Sequence, residues 1–255
     1  MSDYQTAREQ LIYACTTHLD QLSDKLKEPR VHAVIAPMLS SQASFSQTQS
    51  SLDDLQYVED LGLITLKPNV SISNKIYQEV IPRELTFPTS INITHQQAWY
   101  VNTDGKLNMT KLLSAFVQFF RENIDAWMEN FQYKEAGPQL LMQAFLQRVI
   151  NGGGRITREY ALGRKRTDLL IEWPTTASGF NGPIQRITIE LKILYDAIET
   201  TITKGITQAL EYADTANADE VHLVIFNRNE GKSWDEKIWH KQQQVEAKVV
   251  DIWGC

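Results

Sequence analysis

The chain has 255 residues, 42% of them apolar and 22% charged, with a formal net charge of -6. That length can bury a substantial core in one large or two modest domains, and the acidic balance argues against a protein that coats nucleic acid non-specifically. The two cysteines, Cys15 and Cys255, form neither a disulfide framework nor a zinc motif, the polar start MSDYQTAREQ lacks a signal-peptide pattern, and no apolar run reaches membrane-spanning length, so the expectation is a soluble, cytoplasmic chain with no membrane partner.

In chain order, Leu11, Ile12, Cys15, Leu19, Leu22 and Leu26 recur at helical spacing, which predicts an amphipathic helix within the first 30 residues. Pro29 is placed to open the next helix, RVHAVIAPMLS. A Ser/Gln-rich loop, SQASFSQTQSS, precedes a short helix in SLDDLQYVEDLGL, with Ser51 as N-cap, Asp53 and Asp54 in the first turn and Gly62 at the stop. Two short strands, LITLK and VSISN, flank a Pro-Asn turn. Helix, helix and tight hairpin together outline a winged helix over 1–90. Its second helix holds acids and no Lys or Arg. Phosphate contacts need cations, so a protein-contacting wing is favoured over a DNA-reading one.

A helical connector is expected over 91–130. It holds a turn at TDGK and a long helix from Met109 whose Leu112, Leu113, Phe116, Phe119 and Phe120 share a stripe and read as core. A third region, 131–255, begins with the helix in KEAGPQLLMQAFLQRVINGGG, which the triple glycine 152–154 closes. Strand-like runs RITREYALG and RTDLLIEW follow, joined by a basic turn carrying Arg164, Lys165 and Arg166, a group whose bland reading is a solvated hairpin tip. Next come the strand QRITIELKI, the helix TITKGITQALEYADTA, the buried strand EVHLVIFNR, a late polar helix SWDEKIWHKQQQ and a last strand AKVVDIW. The fold class expected is α/β: a helical, winged-helix domain followed by a mixed sheet flanked by helices.

The chemistry concentrates on the strand QRITIELKIL. Ile187, Ile189, Leu191 and Ile193 fall on one face, Thr188, Glu190 and Lys192 on the other. A solvent-facing Glu/Lys pair on a half-buried strand is the bland reading. If the preceding strand pairs with Asp168 opposite Glu190, two carboxylates and an ammonium converge. That set suits a hard divalent cation, which polarises a phosphoryl oxygen and lowers the pKa of bound water, with the ammonium beside it to stabilise developing charge.

The order RTDLLIEW, RITIELKIL, TKGITQALEYADT, EVHLVIFNR resembles the core of the PD-(D/E)xK nuclease superfamily. The resemblance implies a restriction-endonuclease-like fold. It implies Mg²⁺ or Mn²⁺ held by Asp168 and Glu190, water activation by Lys192, support from Gln208 and Tyr212 one helical turn apart, and DNA as substrate, with Arg164, Lys165 and Arg166 on its phosphates. It also offers Glu135 as a further acid at the head of the preceding helix, although Gln143 stands in that helix's interior. Thr167, not proline, precedes Asp168. The segments EPRVHAVIAPML, DDLQYVEDLGLI, SNKIYQEVIPREL, YKEAGPQLLMQAFLQRVINGGGRI and GRKRTDLLIEW further resemble the C-terminal winged-helix and nuclease-fold portion of prokaryotic AAA-type ATPases. Such ATPases carry a P-loop. Here NEGKSW has Gly-Lys-Ser, but Phe226 occupies the position of the first P-loop glycine, so no ATP is expected in this chain. A separate ATPase partner and a homodimer both remain open, as does a catalytically inactive regulatory role. The five histidines have no ligand spacing and read as structural or surface residues.

Overall fold

A computed structural model describes residues 17–39, 51–74, 76–78, 80–82, 84–85, 99–130, 137–150, 153–162 and 165–255. Within it the chain divides into two compact units, Met1–Asn92 with Asp125–Ala144, and Ile93–Ile124 with Phe145–Cys255. The second unit thus takes in residues 93–124, most of the 91–130 stretch assigned from sequence to a connector.

In the first unit, α1 (Thr17–Leu26), α2 (Pro29–Leu39) and α3 (Leu52–Asp60) precede a hairpin of β1 (Ile64–Thr65) and β2 (Ser71–Ile72). Pro29 occupies the first position of α2, where its missing N–H costs nothing. Ser51 caps α3 by accepting from Asp54 N at 3.1 Å, and Gly62 follows the helix at φ +73, a conformation that glycine adopts without strain. Val31, Val34 and Ile35 of α2, Leu55 and Val58 of α3, and Ile64 and Ile72 of the hairpin are all buried. At the surface, Arg30 Nε donates to Asp54 Oδ1 at 2.6 Å and lies over the Tyr57 ring, tying α2 to the acidic face of α3.

The second unit is built on one sheet. A turn at 102–105, with Gly105 at φ +82, closes an antiparallel bridge between Val101 and Leu107. Asn108 then caps α4 (Met109–Asn130), which belongs to this unit as far as Ile124, accepting from Lys111 N at 2.9 Å. The helix α5 (Gly137–Ile150), of which only Phe145–Ile150 belongs to this unit, ends where Gly153 N and Gly154 N both donate to Ile150 O. Gly154 is required at its position, because a Cβ there would strike the Trp173 ring and Ile150. The strands β3 (Arg155–Leu162), β4 (Lys165–Pro174) and β5 (Ile184–Ile193) form an antiparallel meander. The helix α6 (Ile198–Ala216) then crosses to β6 (Glu220–Phe226), which is parallel to β5. A one-turn helix α7 (Trp234–Lys237) leads into the hairpin of β7 (Trp239–Val245) and β8 (Lys248–Gly254), giving the strand order β3-β4-β5-β6-β8-β7. The result is a mixed α/β sheet, as the element pattern predicts.

One expected element changes type. The run WHKQQQ, read from sequence as part of a polar helix, is the strand β7; only Trp234–Lys237 is helical, started by a capping box between Ser233 and Glu236. Glutamine and lysine favour helix by intrinsic propensity, and the unbroken ladder with β8 overrides it.

The register assigns the two faces of the sheet. Val221, Leu223 and Ile225 of β6 pack with Val250 and Ile252 of β8 under Ile202, Ile206, Ala209 and Ala213 of α6. Gly205 lets that helix sit directly on Leu223. On the opposite face the Phe226 ring meets Phe116 and Phe120 of α4, and Phe116 meets Phe145 of α5. The aromatic stripe of α4 is core, as its spacing predicts. Gln185 stitches the 99–108 segment to this face: its side chain is buried, accepts from Leu107 N at 2.8 Å and donates to Glu220 Oε1 at 2.6 Å. Phe226→Ala, which empties a fully buried ring site, is expected to lower stability by about 3–5 kcal/mol, measured as a shifted urea midpoint at unchanged m-value.

Candidate functional site

Strand β5 is the hinge of the site because both of its faces are buried. Ile187, Ile189 and Leu191 face the α4 side, and Thr188 and Glu190 on the other face are buried as well. The parallel register sets Thr188, Glu190 and Lys192 beside Val221, Leu223 and Ile225, which places all three under α6. Glu190 is only 3% exposed. The solvent-facing reading of the Glu/Lys pair therefore fails: alternation alone cannot tell a half-buried strand from one covered by helices on both sides.

Asp168 reaches the same place from β4, where it is the fourth residue of the strand. The β4–β5 register runs from Pro174↔Ile184 up to Leu169↔Ile189. One residue further on, the Asp168 carboxylate, not a backbone carbonyl, accepts the Leu191 N–H at 2.7 Å. The side chain thereby takes over a ladder position and lets β4 part from β5, while β4 stays paired to β3 as far as Lys165. Lys192 Nζ closes the group by donating to Glu190 Oε1 at 2.6 Å.

The electrostatics of this trio are unusual. Burial first, and then the neighbouring Asp168 charge, push the Glu190 carboxyl up to about 8, against the pull of Lys192 and of the Asp168 backbone. Glu190 Oε2 is buried with no hydrogen-bond partner. A buried orphan carboxylate oxygen beside a second carboxylate is costly unless a proton or a cation is shared there. The donor set is all hard oxygen, which fits Mg²⁺ or Mn²⁺ held by two carboxylates with waters completing the shell. Among the described residues, no group of three or more His, Cys, Asp and Glu side chains could hold a metal ion, and Asp168 and Glu190 make a pair of carboxylates only.

Gln208 and Tyr212 lie half-buried on the edge of α6 opposite Leu210. Leu210 packs toward the β6–β8 cluster, so the Gln208/Tyr212 edge is turned toward β4 and β3, which α6 also touches. Lys165 and Arg166 belong to the backbone of β4, at the end of the sheet where β5 and β6 terminate. Arg164 and Glu135 lie outside the described residues. Sequence reasoning did not single out Gln185, whose carboxamide fixes the sheet at the far end of β5 from Lys192. A polar residue at an alternation position predicted for the core was the available signal.

The chain matches no protein-family model, no curated protein and no solved structure.

The raised Glu190 value sets a pH dependence. Its folded-state value of about 8 exceeds that of an unfolded glutamate, near 4.3, so the folded protein binds the extra proton between them. Stability contributed by the protonated form is complete below about pH 4 and is lost as pH rises through the window to about 8. Glu190→Gln is expected to flatten the slope of urea stability against pH between 5 and 8. In the wild type, Mn²⁺ should raise the melting temperature more at pH 8 than at pH 6, because less proton must be displaced.

Proposed function

We propose that this chain is a metal-dependent phosphodiesterase acting on DNA, built on a nuclease fold of the PD-(D/E)xK type. The observation that carries the reading is the Asp168–Glu190–Lys192 group at the point where β4 parts from β5. The order of elements supports it: a helix, a three-strand meander, a crossover helix and a parallel strand.

In this reading Asp168 and Glu190 hold the cation. A bound Mg²⁺ or Mn²⁺ would polarise the scissile phosphoryl oxygen and acidify a coordinated water. Asp168 keeps one oxygen on the Leu191 N–H, which fixes the carboxylate's direction before any substrate arrives. Glu190 Oε2, free of hydrogen bonds, is the oxygen that can change partners. Lys192 is three-quarters buried yet keeps an exposed part; it orients the attacking water and offsets charge on the pentavalent phosphorus. Gln208 and Tyr212 supply polar groups along the α6 edge that faces the strands. Lys165 and Arg166, which begin β4 at the end of the sheet where β5 terminates, are the cations proposed for the flanking phosphates.

The first unit reads best as a winged helix that contacts protein. The α3 surface presents Asp53, Asp54, Glu59 and Asp60, and Asp54 is engaged by Arg30 from within the same unit. An acidic helix repels a DNA backbone. A separately encoded ATPase is the class of partner that the resemblance of the chain suggests. The same acidity favours the second reading, a regulatory protein whose nuclease fold no longer cuts.

Cleavage assays on linear, circular, single-stranded and branched DNA decide between the two. The expected result is Mg²⁺- or Mn²⁺-dependent cutting of at least one form, reduced about a hundredfold or more in Asp168→Ala, Glu190→Ala and Lys192→Ala, each checked for folding by circular dichroism. Intact DNA of every form with both metals overturns the enzymatic reading and leaves the regulatory one.

A further inference from the structure

The sheet ends at β7, and β7 is an unguarded edge. Its register with β8 runs without a break from Trp239↔Gly254 to Val245↔Lys248, so no bulge twists it away. It contains no proline or glycine, and Lys241 is its one formal charge at neutral pH with histidine uncharged. All five central residues, His240 to Gln244, are exposed. Folded proteins blunt such edges with prolines, bulges, clustered charges or cover; among the described residues β7 has none of these beyond its single lysine.

We propose that β7 is an interface between two copies of this chain, paired antiparallel about a two-fold axis at Gln242. In that register Gln242 meets its own counterpart, Lys241 meets Gln243, His240 meets Gln244 and Trp239 meets Val245. All seven residues are used and no like charges oppose. A closed two-fold pairing also consumes the edge completely, where a head-to-tail one would leave it to propagate.

The two faces of β7 fit this occupant. On the α6 face, Trp239 and Val245 are half-buried and pack against the apolar cluster beneath α6. Bringing Trp239 of one copy against Val245 of the other continues that cluster across the axis at both ends of the strand. On the opposite face the polar groups are already ordered. His240 Nε2 lies 2.7 Å from Asp251 Oδ1, Gln242 Nε2 donates to the same oxygen at 3.0 Å, and the His240 ring stacks on Trp253. Side chains held in place lose less freedom on association. The pairing is independent of the nuclease reading, since it uses none of the residues of that site.

The test is sedimentation equilibrium of the full chain with substitutions at one position. Gln243→Glu places a carboxylate opposite Lys241 of the partner, twice by symmetry, and is expected to tighten the dimer several-fold. Gln243→Lys opposes two like charges and is expected to loosen it by a similar factor. A folding defect would not give opposite signs at a single site. Gln242→Cys in a Cys15→Ser background is expected to form an inter-chain disulfide on mild oxidation, because directly opposed residues lie within disulfide reach. Gln244→Cys should not, its counterpart being about 13 Å away along the strands. A wild-type monomer at high micromolar concentration, a dimer indifferent to the charge at 243, or cross-linking through 244 in preference to 242 would each overturn the proposal.

Discussion

Everything distinctive in this molecule follows from one energetic burden, the placing of Glu190 beside Asp168 under a helix. A carboxylate moved out of water must find a proton, a counter-charge or a cation. Lys192 answers one oxygen of Glu190 and leaves the other without a partner. The raised Glu190 carboxyl records the remaining imbalance, with burial as its first cause and Asp168 as its second. A chain optimised for stability alone would carry an aliphatic residue at 190, like its neighbours 189 and 191. An acid stands there instead, next to a second acid on the adjoining strand, and that placement is what motivates the proposed metal site.

The backbone is arranged around that burden. The ladder between β4 and β5 is used fully from Pro174 to Leu169 and then given up, with the Asp168 side chain accepting the Leu191 N–H at the parting point. The Leu191 N–H is therefore not stranded where the strands part. The same hydrogen bond pins the carboxylate. Rigid strands on one side and a single unpartnered oxygen on the other give the pair one carboxylate held in direction and one oxygen able to take a new partner.

Much of this was legible in the sequence, for reasons that can be named. Local signals with a specific backbone mechanism carried through: Ser51 as a cap, Gly62 after a helix, Pro29 at a helix start, the turn at Gly105, and the alternation that ties Glu190 and Lys192 to one face. What alternation could not give was whether the polar face of β5 met solvent or a helix, since that depends on the crossover α6 and not on β5 itself. The β7 segment failed for a related reason. Its run of glutamines carries no period, so its state is decided by β8, a strand that comes later in the chain. Gln185 was invisible because its partners, Leu107 and Glu220, lie 78 and 35 residues away.

The geometry also keeps the two surfaces of the sheet from competing. In the strand order, β6 and β8 stand between β5 and the β7 edge, whereas the opening at Asp168 lies between β5 and β4, on the side of β3. A second copy joined at β7 would extend the sheet away from the acids and leave that opening unobstructed. It would also set two such centres in one continuous sheet, related by the two-fold axis. If the proposed nuclease reading holds, a substrate offering two equivalent phosphodiester positions would then meet two equivalent sites. A monomer could engage those positions only one at a time.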